Sequence, residues 1–209
     1  MNIAVIAANG RLGKIFVEEA LRAGHHVRAG VRGAHDFQET DHLSVIQCDA
    51  TREDELENLL KNQEVVVSCI GHVKGSPANV QTAATKAVIN VMNTLEIKRF
   101  VDLTGTGVRF PGDRISLVDR VLNMSIGLID PERIRDGREH QKVLQASNVD
   151  WTTIRVLKLQ NNQPEPYELL LHGPTKWFVG RKEAAKAMLQ VIEERSFVAQ
   201  SPIIGRSSK

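Results

Sequence analysis

The residues best suited to chemistry sit where apolar runs end. The first group is Ala7-Ala8-Asn9-Gly10-Arg11-Leu12-Gly13, which joins an apolar, β-branched run at 3–7 to a helical pattern over 10–23. A turn that leaves a strand and enters a helix presents free N–H groups and the positive end of the helix dipole, and both favour phosphate. Gly10 lets the backbone approach such a group with no Cβ in the way, and Gly13 permits close helix–strand packing. In the first strand–helix unit of an alternating chain, this points to a dinucleotide. A carboxylate at the end of the second strand would hold the ribose hydroxyls and favour NAD. Residues 27–32 read Val-Arg-Ala-Gly-Val-Arg, and no carboxylate follows until Asp36. Arg32 stands where the ribose 2′ position is expected, with Arg11 in the neighbouring loop. Guanidinium groups clamp phosphate bidentately and keep their charge, so the pattern favours NADP(H) over NAD(H).

Positioning such a loop requires an alternating scaffold, and the sequence supplies one. Strand-like runs fall at 3–7, 26–31, 43–48, 64–70, 99–103 and 151–155. Helical patterns fall at 10–23, 51–62, 77–95, 133–147 and 181–194. Gly24 reads as a helix stop, Thr51 as a cap, and Ser76 with Pro77 as the start of the third helix. The alternation predicts an α/β fold with a doubly wound, mostly parallel, Rossmann-like sheet, as one domain over 1–209. Two irregular stretches, at 104–130 and within 156–180, follow strands and are expected as substrate-side loops.

Composition sets bounds on function. The 209 residues carry a formal net charge of +2, and basic residues are not massed in one tract, so neither nucleic acid nor a membrane surface is the expected partner. No apolar run reaches the ~18 residues of a membrane span, and the first residues lack a signal peptide's pattern. Cys48 and Cys69 end apolar runs and read as buried, reduced thiols. No metal site is expected, and the location expected is cytoplasmic.

Over most of its length the sequence resembles the atypical short-chain dehydrogenase/reductases, in the NAD(P)H-binding or NmrA-like group with its flavin-reductase branch. The glycine loop is similar to that group's G-A-T-G-x-x-G, with Ala7 for the first Gly and Asn9 for Thr. Val31-Arg32, Cys48-Asp49-Ala50, Cys69-Ile70-Gly71 and the stretch 100–108 (FVDLTGTGV) resemble the ends of its successive strands. The most specific match is 147–155 (SNVDWTTIR) with S-G-L-D-W-T-I-x-R; Val156 replaces the Pro that follows there. The resemblance implies cofactor contacts at Ala8, Asn9, Gly10, Arg11, Leu12, Gly13, Arg32, Asp49, Ala50, Ile70, Gly71 and Thr104. Asp49 reads equally as an acceptor from the adenine amino group and as a cap for the following helix.

Catalytic residues are harder to read. Short-chain dehydrogenases use a Tyr whose pKa is lowered by a Lys four residues on. The only tyrosine, Tyr167, is followed by Leu171 in a Pro-rich stretch, so that pair is missing. Thr104 is a candidate to hydrogen-bond substrate or nicotinamide ribose, or else caps a strand end; Thr106 is a second candidate. His140 is a candidate proton donor, or a structural helix residue. Residues 175–178, with Trp177 and Phe178, either pack over the pocket or serve the core. The function expected is NADPH-dependent reduction of a flavin-, quinone- or carbonyl-like small acceptor, by a monomer or homodimer. The alternative is a non-catalytic NAD(P)-sensing regulatory or partner-binding protein. A sugar-nucleotide epimerase is disfavoured, because it needs the missing Tyr–Lys pair.

Overall fold

A computed structural model describes residues 1–114, 116–161 and 163–207; positions 115, 162, 208 and 209, which the expected loops and domain span include, lie outside the described residues. Six strands alternate with helices in the first three quarters of the chain. They are β1 (Asn2–Ile6), β2 (His26–Val31), β3 (Leu43–Gln47), β4 (Val65–Ser68), β5 (Arg99–Gly105) and β6 (Asp150–Val156). They pair in parallel in the order β3-β2-β1-β4-β5-β6. The strands are continuous Val and Ile runs because both faces are covered: all four residues of β4 are buried. Each such Val contributes about 1.5–3 kcal/mol by leaving water.

The helices divide between the two faces. On one side, α1 (Gly13–Arg22) and α6 (Arg181–Glu193) pack on Ile3, Val5, Val67 and Ile154. On the other, α2 (Glu53–Leu60), α3 (Val80–Thr94) and α5 (Pro131–Gln145) cover Ala4, Ile6, Val66 and Phe100. The sheet order reverses between β1 and β4, and a crevice opens outside the carboxyl ends there.

The structure departs from the sequence expectations in four places. The stretch expected as a loop at 104–130 contains α4 (Leu117–Ile129). Its Leu117, Val121, Met124 and Leu128 are exposed, so the helical stripe serves no core and reads poorly as a buried helix. The stretch around 156–180 holds β7 (Leu159–Gln160), β8 (Tyr167–Leu170) and β9 (Val179–Gly180). Beyond α6, β10 (Ile203–Arg206) inserts parallel to β6 and antiparallel to β8, which becomes the sheet edge. The third helix starts at Val80 rather than Pro77, and Ser76 Oγ bonds Val73 instead of capping it.

Two arginines tie the C-terminal segment to the sheet. Buried Arg99 donates to Asp150 O at 2.9 Å, Thr152 Oγ1 at 2.8 Å, Val191 O at 2.7 Å and Ser196 O at 3.2 Å. Burial pulls its pKa down to about 10. Arg155, at the end of β6, clamps Asp113 with two bonds of 2.6 and 2.9 Å and reaches Leu171 O and Ser201 O. It therefore anchors loops beside the crevice. Trp177 and Phe178 are exposed, stacked under Arg206 and Lys158, and line neither cavity described below.

Candidate functional site: a two-part crevice

The glycine loop folds as a tight turn whose geometry explains its residue types. Gly10 N donates to Ala7 O, and Ala8 N to Gly30 O, which ties the turn to β2. A Cβ on Gly13 would lie 2.4 Å from Ala7 O and 2.6 Å from Ala8 O, so only glycine lets α1 start this close to β1. Ala7, standing at the glycine position of the related motif, has φ +57°, in the left-handed region. The N-terminus of α1 has no side-chain cap, so its leading amides are not used up by a capping hydroxyl or carboxylate.

Around this turn lies a cavity of about 460 Å³. It is bounded by Ala7, Asn9 and Gly10, by Val31 to Ala34, by Cys48 to Thr51, and by Cys69 to Gly71. These are the carboxyl ends of β1, β2, β3 and β4 in turn. Asn9 Nδ2 donates to Ala34 O at 2.7 Å and so links the glycine loop to the segment carrying Arg32. Asn9 Oδ1 is buried with no partner among the described residues, an acceptor set for a ligand hydroxyl. Asp49 Oδ1 accepts from Thr51 N at 3.0 Å and Thr51 Oγ1 at 2.7 Å, and these bonds hold its carboxyl below the usual range. Thr51 thus serves Asp49 rather than capping α2. Burial raises the Cys48 and Cys69 thiols to about 12, so both are inert walls.

A second cavity, of about 240 Å³, shares Ile70 and Gly71 with the first. Its walls include His72, Gln81, Thr104, Asn123, Arg133 and Val156. Asn123 of α4 donates to Thr106 Oγ1 at 3.0 Å, so the unexpected helix helps to close this end. Thr104 is buried against Gly137.

The predicted residues therefore separate into groups. Asn9, Gly10, Arg32, Asp49, Ala50, Ile70 and Gly71 meet in the larger cavity, and Thr104 lines the smaller. Ala8 and Leu12 are core residues beneath the loop. Gly13 shapes the turn without lining either cavity. Arg11 is exposed, and its charge is felt by Arg181 of α6 rather than gathered beside Arg32. His140 is 1% exposed; its Nε2 pairs with Asp102 and its Nδ1 lies 3.3 Å from Gly137 O. Burial lowers its pKa, but the Asp102 charge and hydrogen bond outweigh this, for a net rise. Tyr167 is on the edge strand, donating to Gln190 at 3.2 Å. His72 and Asn123 escaped sequence reasoning: His72 lies just past the Cys69-Ile70-Gly71 motif, and Asn123 comes from a segment with no motif of its own.

The residues present fit a dinucleotide. The Gly13 contact, the uncapped helix and the unpartnered Asn9 oxygen are each what a bound pyrophosphate and ribose would require. A family profile described as NAD(P)H-binding matches residues 7–195. The chain is similar to the chloroplastic protein TIC 62 of Pisum sativum, 22% identical over 228 residues, covering 96% of this chain and 40% of that one. It spans less than half the length of the TIC 62 proteins it matches. Its fold is similar to that of a short-chain dehydrogenase/reductase from Veillonella parvula DSM 2008 in complex with NADP, with a TM-score of 0.82 at 18% identity, covering 99% and 95% of the two chains. It is also similar to a Streptococcus pneumoniae TIGR4 chain provisionally described as an NADH-flavin reductase, with a TM-score of 0.78 at 19% identity, covering 99% and 100%.

Proposed function

Since the chain belongs to the NAD(P)H-binding family, we propose that it is an NADPH-dependent reductase of a small flavin-, quinone- or carbonyl-like acceptor. The observation that carries this reading is that the two cavities share Ile70 and Gly71 as a common wall, at the point where the sheet order reverses. A dinucleotide laid along that crevice has its adenosine half against Arg32 and Asp49 and its reactive end towards Thr104. When bound, the cofactor supplies a hydride; the chain's residues bind, orient and exclude water. The glycine loop and the start of α1 would hold the pyrophosphate. Arg32 would clamp a 2′-phosphate, with Asn9 fixing the position of its segment. Asp36, the first carboxylate past β2, is paired with Lys14 at 2.7 Å, which supports NADP over NAD. Thr104 would hydrogen-bond the acceptor or the nicotinamide ribose. His140, with both ring nitrogens engaged, would act only as a positioning residue behind β5. Among the described residues, no helix is long and apolar enough to cross a membrane. Free, raised-pKa thiols fit a reducing compartment, in our reading the cytoplasm.

A second reading, a non-catalytic NAD(P) sensor, draws support from Tyr167, whose hydroxyl is spent on α6 away from both cavities. One titration bears on the cofactor. NADPH and NADH are added to the parent and to Arg32→Ala, following nicotinamide fluorescence. NADPH affinity should fall at least tenfold in the variant, about 1.4 kcal/mol, with NADH affinity unchanged. Equal binding of NADH by the parent would overturn the NADP preference. Absence of NADPH oxidation with flavins, quinones and carbonyls would favour the sensor.

A further inference from the structure

His72 follows Gly71 in the loop after β4 and lines the smaller cavity together with Thr104 and Asn123. Its Nε2 lies 2.9 Å from Oδ2 of Asp136 on α5. The same buried carboxylate accepts from Gln81 N at 2.9 Å, from Thr82 N at 3.0 Å and from Thr82 Oγ1. Asp136 thus caps α3 from a neighbouring helix, which fixes it rigidly, and His72 donates the remaining bond. With Nε2–H committed to Asp136, the ring can release or regain a proton only at Nδ1. A carboxylate that orients an imidazole and stabilises its protonated form is the supporting half of a general acid–base pair.

The composition of the cavity sharpens this. Among the described residues lining it, the titratable side chains are His72 and Arg133, and a guanidinium does not give up its proton. Charged groups on the surrounding elements include Asp136 and Arg133 on α5, Asp119 on α4, which bonds Asn123 and pairs with Arg109, Asp102 on β5 with His140 behind it, and Lys74 on the same loop. The turn of α3 that touches the site presents Gln81 and Thr82, which are neutral. The cavity, at about 240 Å³, is below the ~300–1,000 Å³ of sites for drug-sized ligands, and it must also admit the nicotinamide.

We propose that His72, oriented by Asp136, is the proton donor to the oxygen of a compact aldehyde or ketone bound in this cavity. The inference rests on the reductase reading above and narrows its acceptor. In the step, the Nδ1–H bond breaks and an O–H bond forms on the acceptor oxygen. The two electrons arrive with the hydride that the cofactor supplies to the carbonyl carbon, and the neutral ring regains its proton from water. An unconjugated carbonyl needs this donor, because its alkoxide is strongly basic. A quinone or flavin delocalises the charge and takes its proton from solvent.

The experiment compares the parent with His72→Gln, using NADPH with short-chain aldehydes and ketones and, as a control acceptor, a naphthoquinone. Carbonyl reduction should fall about 10²-fold, quinone reduction should stay within threefold, and NADPH affinity within twofold. The parent's kcat/KM for the carbonyl should show a pH-dependent limb that the variant's lacks. Independently of turnover, ¹⁵N NMR of the apo protein should show neutral His72 with the proton on Nε2. An Nδ1–H tautomer, undiminished carbonyl reduction in the variant, an equal loss with both acceptors, or turnover of quinone alone by the parent would each overturn the inference. Failure of the parent to oxidise NADPH with any acceptor would instead sink the reductase reading, and this inference with it.

Discussion

Replacing Gly13 by alanine tests the cofactor loop at its tightest point. The new Cβ would meet Ala7 O at 2.4 Å, Ala8 O at 2.6 Å and Ala8 C at 2.8 Å, against ordinary contacts of 3.4 Å or more. All three are backbone atoms at the end of a central strand, so no side chain can swing aside. Relief requires α1 to back away from β1 by about 1 Å. Overpacking of this kind costs about 1–3 kcal/mol, and rigid neighbours place the cost near the upper end. Alanine's better helix propensity returns about 1 kcal/mol, which leaves a net loss of about 2 kcal/mol. At a urea m-value of about 2–3 kcal/mol/M, the midpoint falls by roughly 0.7–1 M. The displaced helix also carries the phosphate-binding amides, so NADPH affinity should drop at least tenfold, about 1.4 kcal/mol. Urea melts followed by circular dichroism and a fluorescence titration measure both. Gly10→Ala is the internal control: its Cβ would meet only Ala7 O, at 3.1 Å, and should cost much less. Unchanged stability and binding in Gly13→Ala, or a larger loss of stability at Gly10, would refute the steric argument.

Further outcomes are expected elsewhere. Ala7→Gly should be neutral or stabilising by up to about 1 kcal/mol, since a left-handed alanine costs about 1–2 kcal/mol and glycine's extra unfolded entropy returns part of it; a drop in thermal midpoint would contradict this. Arg99→Met strips donors from four acceptors, two of them in fully buried bonds, and should cost about 3 kcal/mol in a denaturant melt, with Arg99→Lys rescuing only part. The raised pKa of His140 gives stability that is complete below the unfolded value near ~6.5 and is lost as pH climbs through the folded value. The parent's thermal midpoint should therefore decline from about pH 6.5 upward, and His140→Gln should have a lower, flatter curve; parallel curves would count against the ion pair with Asp102.

Much of the scaffold was legible because its signals are local. Val65 to Ser68 reads as a buried strand from four letters, and Gly24, at φ +83°, ends α1 as its position suggests. The glycine loop was legible because its chemistry lies within seven residues. What escaped depends on partners far apart in the chain. The cap of α3 comes from Asp136, more than fifty residues away, so Ser76 and Pro77 gave a plausible but mistaken start. His72 lies just past the Cys69-Ile70-Gly71 motif, and its role appears only once α5 packs against α3. The α4 stripe of Leu117, Val121, Met124 and Leu128 is helical, yet it faces outward, where core-seeking patterns do not look. Tyr167 to Leu170 and Ile203 to Arg206 lack the Val run that marks β4 and become strands by pairing with one another and, for Ile203, with β6.

That pairing has a consequence for assembly order. β10 is the last strand among the described residues, yet it is a seam between β6 and β8 rather than an edge. As the chain emerges from the ribosome, the half of the sheet that carries the glycine loop can close early. β6 meanwhile keeps an unpaired row of amides on one side until residues 199–203 appear, and β8 has nothing to dock on until residues 203–206 follow. The Arg99 clamp likewise waits for α6 and the turn after it, since two of its acceptors are Val191 O and Ser196 O. At high concentration the open β6 edge can be filled by the β10 of another copy, so a strand-swapped dimer is the misassembly to look for during refolding.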